Sequence, residues 1–409
     1  MREAAGVFDV AVIGAGAAGM MTAAVAGQRG LRVVLIDHAA KLAEKVRISG
    51  GGRCNFTNIG TSPANFLSQN PNFCRSALAA YTPRDFIDLV ERHDIGWHEK
   101  HRGQLFCNDS SESIIDLLRR ECDMGHVAWR MPCSVGSVAH DTGVFTLRTS
   151  LGEMRASQLV LACGGMAIPQ LGASDFALRL ARQFGLKVVE PRPALVPLTF
   201  DPEYWKAFGA LTGVALAVDV RTGAGKGGMQ FLEDLLFTHR GLSGPAILQI
   251  SSFWNPGEPI VLDLAPGRDI EQELLAAKSG NRQQLSSVLG ALWPRRLAEQ
   301  WLSNASLDGQ HGIAALRMAE APDRLLRNLA AQIQQWSLVP TGTAGYKKAE
   351  VMRGGVDTRA LDQKTMQVKS VPGLYIIGEA LDVTGWLGGY NFQWAWASGA
   401  ACGRALQRL

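Results

Sequence analysis

The feature that most constrains this chain is a strand–turn–helix pattern at its start. Residues 7–13 read VFDVAVI, an apolar run typical of a buried strand in a parallel sheet. The next residues, GAGAAG, place Gly14, Gly16 and Gly19 at G-x-G-x-x-G spacing, and helix formers follow. In such a turn the backbone approaches a pyrophosphate at the N-terminus of the helix, where N–H groups and the helix dipole attract anions. The pattern therefore predicts a dinucleotide-binding unit.

A second strand with a terminal acid supports this interpretation. Residues 31–36 read LRVVLI and end at Asp37, 18 residues after Gly19. That is close to the spacing of roughly 20 at which a carboxylate accepts the ribose hydroxyls of a dinucleotide. The alternatives are a glycine turn that serves packing alone and, for the uncharged residues 10–27, a membrane span. The glycines and the strand–helix pattern argue against a membrane span, and the basic start and cleavage site of a signal peptide are missing.

Composition sets the broad class. A chain of 409 residues with 47% hydrophobic content is expected to form two or three domains. Its net charge of +4 permits contact with nucleic acid without requiring it. Seven cysteines without a C-x-x-C pair fit no disulfide framework, and no Cys/His cluster has zinc-ligand spacing. We therefore expect free thiols, no metal site and a cytoplasmic location.

A second glycine segment, SGGGRCNFTN at 49–58, lies in a basic stretch. Three consecutive glycines favour a loop whose bare backbone can approach a ligand. The cations at positions 41, 45, 47 and 53 outnumber the single acid Glu44. Next to a dinucleotide fold, this loop predicts contact with a pyrophosphate and a flat ring. The alternative is a solvated loop.

Three segments are predicted as domains. Residues 1–190 form the first part of the cofactor domain, with helices near 84–94 and 111–122, a hairpin over 133–150 outside the parallel sheet, and a returning strand, LVLAC. Residues 191–355 form an insert with a β unit at about 191–265 and 337–355 and a helical part at about 266–336. Residues 356–409 return to the cofactor domain.

The end of the chain contains a second strand that is followed by a glycine turn and a helix. Residues 373–385 read GLYIIGEALDVTG, a strand that breaks at Gly378 and Glu379. Gly388 and Gly389 then deliver the N-terminus of a final helix. A positive helix end near a flavin ring would stabilise its anionic reduced form. The alternative is an ordinary glycine cap.

Together these motifs resemble a known family, the HI0933-like bacterial flavoproteins, which include aminoacetone-oxidase-like and NAD(P)/FAD-dependent oxidoreductases. The resemblance is carried by GAGAAG at 14–19, SGGGRCNFTN at 49–58, FTHRGLSGPAIL at 237–248, GYKKAEVMRGGV at 345–356 and the segment 373–399. It implies an α/β fold, namely a glutathione-reductase-like FAD-binding Rossmann domain with an inserted β-barrel plus α-helical domain. Departures from the family pattern at Asp37, at Cys107 and after Gly165 concern mainly the substrate side.

The predicted cofactor is FAD, held by glycine turns, the ribose acid and polar side chains near the predicted ring site. The predicted FAD-binding residues are Gly14, Gly16, Ala17, Ala18, Gly19, Asp37, His38, Lys45, Ser49, Gly50, Gly51, Gly52, Arg53, Cys54, Asn55, Val135, Gly164, Gly378, Glu379, Asp382, Gly389, Asn391 and Phe392.

Two of these residues are predicted to be catalytic. Arg53 would balance negative charge on the reduced ring. Cys54 would be an acidic thiol, because neighbouring cations lower the pKa of a cysteine, and it could deliver a proton to a carbon–carbon double bond. The alternative for Cys54 is a small buried residue that packs under the ring.

The family resemblance leaves three functions open. The first is an FAD-dependent reductase that transfers hydride to the activated C=C of a small substrate, with NAD(P)H as electron donor. The second is the same chemistry on ribosomal RNA, forming dihydrouridine, which the cations over 340–369 keep open and the balanced charge of the helical insert weakens. The third is a non-catalytic flavin redox sensor. No second Rossmann unit is evident beside the one that begins at GAGAAG, which indicates that any nicotinamide donor binds transiently. No membrane association is expected, and the oligomeric state stays open.

Overall fold

A computed structural model of the chain describes residues 7–223, 228–304, 306, 307, 310, 311 and 313–408. These residues divide into two compact units. The first comprises the chain up to Arg192 together with the chain from Glu350 onward, and the second comprises Pro193–Ala349. Residues 305, 308, 309 and 312 of the predicted helical segment lie outside the described residues.

The described strands range from 2 to 10 residues, and the two of 10 residues are Gly152–Leu161 and Met229–Thr238. In chain order they are β1 (Phe8–Ile13), β2 (Val33–Ile36), β3 (Asn55–Asn58), β4 (Phe66–Leu67), β5 (Trp97–His101), β6 (Gln104–Cys107), β7 (Ala128–Arg130), β8 (Val135–Asp141), β9 (Val144–Thr149), β10 (Gly152–Leu161), β11 (Val188–Ala194), β12 (Leu198–Thr199), β13 (Ala215–Thr222), β14 (Met229–Thr238), β15 (Gly241–Ser243), β16 (Ile260–Asp263), β17 (Ser306–Leu307), β18 (Gln310–His311), β19 (Trp336–Leu338), β20 (Gly342–Thr343), β21 (Val351–Val356), β22 (Leu374–Ile376) and β23 (Thr384–Gly385).

The longest of the described α-helices begin at Ala17, Glu112, Asp323 and Tyr390 and have 12 to 16 residues. In chain order they are α1 (Ala17–Gln28), α2 (Glu44–Ile48), α3 (Arg75–Ala80), α4 (Pro83–Arg92), α5 (Glu112–Met124), α6 (Phe176–Gln183), α7 (Pro202–Lys206), α8 (Pro245–Ser251), α9 (Ile270–Ala277), α10 (Leu285–Gly290), α11 (Arg295–Asn304), α12 (Asp323–Gln334) and α13 (Tyr390–Ala405). None of the described helices is long and apolar enough to cross a bilayer.

The first unit is built on a seven-stranded sheet. Its order is β7-β2-β1-β10-β9-β8, and β22 also pairs with β10. Strands β7, β2, β1, β10 and β22 are parallel, and β1 is buried almost throughout, as its apolar sequence predicts. Ligands of such sheets bind outside the carboxyl ends of the strands. The turns after β1, β2, β10 and β22 therefore mark the edge where a cofactor site belongs.

The predicted hairpin over 133–150 forms as β8 and β9, antiparallel strands that continue the main sheet beyond its parallel part. The strand β10 is longer than the predicted LVLAC. Its first half, Gly152–Ala156, pairs antiparallel with β9, and its second half pairs in parallel with β1. The residues before LVLAC are mostly polar and exposed, so the apolar run that predicts a buried strand covers only the second half of β10.

A three-stranded antiparallel sheet, β3-β6-β5, carries the second glycine segment. Asn55 of β3 pairs with Phe106 of β6, and β5 lies at the edge. Below it, Phe86 stacks on Trp396 with ring centroids 4.3 Å apart, so α4 and α13 share one apolar core with β3. The glycine loop is thus attached to a strand that packs on the apolar core of α4 and α13.

Helices α1 and α13 pack closely because small residues face one another. Thr22 Oγ1 donates to the carbonyl of Gly399 at 2.9 Å, deep in the core. A side chain at Gly399 would meet the carbonyl oxygen of Ala18 at 2.7 Å. The two helix N-termini that the sequence predicts for the cofactor are therefore carried by one compact helix pair.

The second unit combines a seven-stranded antiparallel sheet with helices. The strands of the predicted β-barrel are hydrogen-bonded in the order β19-β16-β13-β14-β15-β12-β20. The rings of Phe208 and Phe237 meet that of Trp336, Trp205 lies beside Phe237, and the rings of Trp301 and Trp336 are 5.1 Å apart. Strand β21, which the sequence assigns to the insert, belongs to the first unit.

Candidate active site

The turn after β1 has the backbone that the glycine pattern predicts. Gly14 has φ +108°, and a Cβ there would lie 2.5 Å from the carbonyl oxygen of Ala162. A Cβ on Gly19 would overlap the carbonyl oxygen of Gly14. Gly16 stands before α1 without a side-chain cap, and the space beside it is open. The first N–H groups of α1, at Ala17 and Ala18, are thus placed for an anionic ligand.

Asp37 lies directly after β2 with its carboxylate turned towards this turn. Its Oδ2 accepts from the N–H of Ala15 at 2.7 Å, and its Oδ1 accepts from the N–H of Ala39 at 2.8 Å. The ring of His38 is exposed and lies 3.5 Å from Oδ1. The carbonyl of Asp37 accepts from Cys133 N at 2.7 Å, which brings the start of β8 and Val135 to the same edge.

These residues fit the adenosine-diphosphate half of FAD. The uncapped α1 and the open space at Gly16 suit a pyrophosphate, and a fixed carboxylate at the end of β2 suits a ribose. The chain's own residues already order Asp37, so the site needs little rearrangement to accept the cofactor.

The second glycine segment forms a tight 3-10 turn, Ser49–Gly52, with left-handed backbone. Gly50, Gly51 and Gly52 have φ of +58°, +67° and +84°. Space is open beside Gly51 and Gly52, whereas a Cβ on Gly50 would lie 2.8 Å from both Asn55 N and the Phe106 ring. Ser49 Oγ donates to the carbonyl of Val46 at 2.7 Å and closes the turn against α2. Bare backbone therefore faces outwards here, as the ring-binding prediction requires.

An ion pair joins this region to the end of the parallel sheet. Lys45 Nζ lies 2.5 Å from Glu379 Oε2, and Glu379 Oε1 accepts from Met352 N at 2.8 Å. A Cβ on Gly378 would lie 3.1 Å from Ala18 Cβ, and one on Gly164 would lie 4.0 Å from Glu379 Oε2. Residues predicted from four separate motifs are therefore neighbours at the carboxyl edge of the sheet.

The start of α13 lies against β3. Gly389 has φ +95°, and a Cβ there would overlap the carbonyl oxygen of Thr57. The Asn55 amide accepts from Gly389 N at 3.2 Å in the orientation that satisfies its neighbours. Helix α13 has no side-chain cap, so its first N–H groups also face a ligand.

Two predicted residues next to Gly389 have structural contacts of their own. Asn391 Oδ1 accepts from Gly385 N at 2.8 Å and its Nδ2 donates to Gly385 O at 2.9 Å, which fixes the turn before α13. Phe392 stacks on Trp396 with centroids 5.7 Å apart and is half-buried. Their contact with FAD remains a prediction.

Asp382 is placed differently from the other predicted residues. It is buried, and its Oδ2 accepts from Gln69 N at 2.8 Å. Burial raises the pKa of this carboxyl, and the nearby Asp357 acts in the same direction. These contacts tie β4 to the segment before β23, and a role of Asp382 towards FAD stays a prediction.

The structure reverses the premise on which Cys54 was predicted to be an acid. Its thiol is completely buried, and this burial raises the pKa of Cys54 well above its usual range, despite a hydrogen bond with Ser49. The expected lowering of the pKa by cationic neighbours is wrong, because burial outweighs the other causes and two of those cations pair with carboxylates. Arg47 pairs with Glu44 and Glu112, Lys45 pairs with Glu379, and Arg53 is exposed.

Two residues near these contacts were not predicted from the sequence as site residues. Glu350, just before β21, is accessible to solvent, yet the protein packed around it raises the pKa of its carboxyl, while the charge of Lys45 lowers it. Gln104 Oε1 lies 3.3 Å from the side-chain amide of Asn55, and a Cβ on Gly388 would lie 2.9 Å from the Gln104 amide nitrogen. Glu350 stands in the motif GYKKAEVMRGGV quoted above, and Gln104 stands in GQLFCN at 103–108, but nothing in single-sequence spacing distinguishes the two from ordinary polar residues.

Comparison with known proteins identifies the family. The model described as "HI0933-like protein Rossmann domain" matches residues 8–405, so the chain belongs to the HI0933-like family. The protein is an enzyme of the FAD-dependent oxidoreductase class, as the sequence predicts.

Individual relatives cover nearly the whole chain. The ribosomal RNA dihydrouridine synthase of Escherichia coli (strain K12) is 48% identical over 400 residues, which are 98% of each chain. The 3-dehydro-bile acid delta(4,6)-reductase of Clostridium scindens is 27% identical over 97% of this chain and 98% of its own. A solved structure, the 3-ketosteroid-delta4-(5alpha)-dehydrogenase of Rhodococcus jostii RHA1, matches with a TM-score of 0.50 and 14% identity over 99% and 98% of the two chains. That structural likeness supports the fold alone.

Proposed function

We propose that this protein reduces a uracil base of ribosomal RNA to dihydrouracil, with FAD as its cofactor and NAD(P)H as a transient electron donor. The observation that carries the proposal is the 48% identity, over 98% of both chains, to a relative named as a ribosomal RNA dihydrouridine synthase. This relative favours reduction of RNA over reduction of a small substrate, which is the first of the three hypotheses drawn from the sequence. A non-catalytic sensor finds no support among these relatives, which are named as enzymes.

The candidate site contains groups that could bind the FAD cofactor of this reaction. We infer that the N–H groups at the start of α1 hold the pyrophosphate and that Asp37 holds a ribose of FAD. The backbone of Gly51 and Gly52 and the start of α13 would lie along the ring end, with Lys45 and Glu379 between the two ends. When bound, FAD supplies the hydride chemistry that such a reduction needs.

The site also has to supply a proton. Saturating the C=C of uracil breaks one π bond and forms two C–H bonds, one from a hydride and one from a proton. Among the groups described above, Glu350 stands just before β21 and within reach of the charge of Lys45, the cation that pairs with Glu379 at the carboxyl edge of the sheet, and its carboxyl pKa is raised, whereas the thiol of Cys54 is buried. We infer that the Glu350 carboxyl holds this proton and regains it from water.

The proposed order of electron transfer follows from the Rossmann-type turn after β1. The G-x-G-x-x-G at 14–19 stands between a buried strand and a helix, and its contacts suit FAD, whereas the same glycine spacing at 223–228 comes in sequence between β13 and β14, which pair antiparallel. We therefore propose that NAD(P)H reduces the protein and departs before the nucleic acid binds. Ping-pong kinetics, with parallel double-reciprocal plots, would be the signature of this order.

A second candidate is the reduction of a small conjugated substrate. It is favoured by the relative from Clostridium scindens named as a bile acid reductase, although that relative is only 27% identical. Both candidates require the same cofactor and the same proton transfer, so the two are separated by the substrate alone.

Complementation tests the RNA proposal. The gene would be expressed in an Escherichia coli strain that lacks the relative's gene, and the dihydrouridine content of purified ribosomal RNA would be measured by nucleoside mass spectrometry. We expect the dihydrouridine signal to return with the native chain and to stay absent with a Gly14→Val variant, whose side chain has no room. Absence of the signal with a soluble, yellow native protein would contradict the proposal.

A further inference from the structure

We propose that the hairpin formed by β5 and β6, residues 97–107, is a docking surface for the RNA backbone next to the target base. The inference rests on the proposed function and names the part of the chain that holds the substrate. It stands on three observations, namely the charge and exposure of the hairpin, its rigid attachment, and its position beside the candidate cofactor site.

The hairpin presents cations at the edge of a sheet. Its sequence, WHEKHRGQLFC, contains the cations Lys100 and Arg102 with His101 between them, and all three residues are exposed. The one acid between these residues and Trp97, Glu99, accepts from the N–H of Gly103 at 2.9 Å and so is engaged in closing the turn. Cationic side chains along an exposed strand match the phosphates of a nucleic acid strand.

The ring of Phe106 lies under part of this surface and holds two of its side chains in place. Lys100 Nζ lies 5.3 Å from the centroid of the Phe106 ring, and the His98 ring stacks on Phe106 at 6.1 Å with an interplanar angle of 20°. His98 Nδ1 also lies 2.8 Å from Asn108 Oδ1. Side chains held in this way lose less conformational entropy when they bind a phosphate.

The hairpin turn is fastened to the candidate active site through Asn58. The Nδ2 of Asn58 donates to the carbonyl of Arg102 at 3.0 Å and to the carbonyl of Gly388 at 3.0 Å. A Cβ on Gly103 would lie 2.7 Å from Asn58 Oδ1, so the turn approaches β3 closely. The same side chain thus links the tip of the hairpin to the residue that precedes Gly389 and α13.

Some of the cations over 340–369, which kept the RNA hypothesis open in the sequence, have partners within the chain. Arg359 pairs with Asp357 at 2.9 Å, and Lys369 Nζ donates to the carbonyl of Arg359 at 3.0 Å. Part of that positive charge is therefore neutralised locally.

The test compares two double variants that remove equal charge from the same unit. Lys100→Gln with Arg102→Gln changes the hairpin, and Arg148→Gln with Arg155→Gln changes two exposed arginines on β9 and β10. Binding of large-subunit ribosomal RNA transcribed in vitro would be measured by filter binding over a range of salt concentrations. FAD content and thermal unfolding report whether each variant is folded.

We expect the hairpin variant to lower the slope of log affinity against log salt by about one for each cation removed, and to lose at least about tenfold in affinity near 0.1 M salt. The control variant should bind like the native chain. If the native chain binds with strong salt dependence and both variants bind equally well, the hairpin inference is overturned while the proposed function stands. If the native chain neither binds this RNA nor forms dihydrouridine in it, the proposed function fails and the inference falls with it.

Discussion

Replacing Asp37 by alanine tests the cofactor site at its most specific side chain. The carboxylate accepts two backbone hydrogen bonds, from Ala15 at 2.7 Å and from Ala39 at 2.8 Å, and it is the group expected to accept the ribose hydroxyls. The substitution therefore removes a ligand contact and also loosens the glycine turn.

The magnitude follows from these contacts. A hydrogen bond to a charged group contributes about 1.5–3 kcal/mol, so loss of the ribose contact weakens FAD binding roughly 10- to 100-fold. The N–H of Ala15 is left without its partner in a buried position, which costs a further about 1–3 kcal/mol in the free energy of unfolding. Asp37→Asn is the matched control, because it keeps the size and one acceptor oxygen but loses the charge.

FAD binding would be measured by quenching of flavin fluorescence on titration of the apoprotein, and stability by urea unfolding of the same preparation. We expect the affinity to fall in the order native, Asp37→Asn, Asp37→Ala. The cofactor should be released as intact FAD on acid precipitation of the native protein. An Asp37→Ala variant with unchanged FAD affinity would refute the assignment and leave Asp37 as a support of the turn only.

Three further predictions concern the proton and the second unit. Glu350→Gln should slow substrate-dependent reoxidation of the reduced protein by about a hundredfold in stopped flow. The native reoxidation rate should fall as pH rises through the raised pKa of Glu350, because the protonated carboxyl is the active form. A Glu350→Gln variant that keeps this fall in rate with pH would exclude Glu350 as the proton donor. Cys54→Ala should reoxidise at the native rate, since burial raises the pKa of that thiol; slow reoxidation with partial recovery in Cys54→Ser would restore the role predicted from sequence. Replacing 193–349 by a flexible linker, with β21 kept, should leave a unit that binds FAD but has no turnover, whereas loss of FAD from a folded product would assign the second unit to the cofactor site.

The parts of the site that the sequence predicted are those set by local backbone chemistry. Gly14 and Gly389 each need a positive φ and a missing Cβ, and such demands are written in the residue itself. Asp37 follows a buried strand at a known distance from the turn. The fold class followed from these signals together, because a strand, a glycine turn and a helix in this order favour a parallel sheet.

The parts that the sequence missed depend on contacts between distant segments. The pKa of Cys54 is governed by burial, which no spacing reveals, and the cations near it are neutralised by Glu112 and Glu379 from remote elements. The position of β8 and β9 in the main sheet likewise depends on the pairing of the polar half of β10. Glu350 becomes noticeable only once its surroundings are known.

The central claim is tested most directly by a reaction with purified components. The protein would be incubated under anaerobic conditions with NADPH or NADH and with ribosomal RNA from a strain that lacks the Escherichia coli relative's gene, while parallel reactions contain a 3-oxo-4,6-diene bile acid. Digestion and mass spectrometry would then measure dihydrouridine, and chromatography the saturated steroid. The account predicts dihydrouridine in the RNA that depends on the protein and the nicotinamide, with little steroid product. Rapid reduction of the bile acid with no dihydrouridine in the RNA would contradict it.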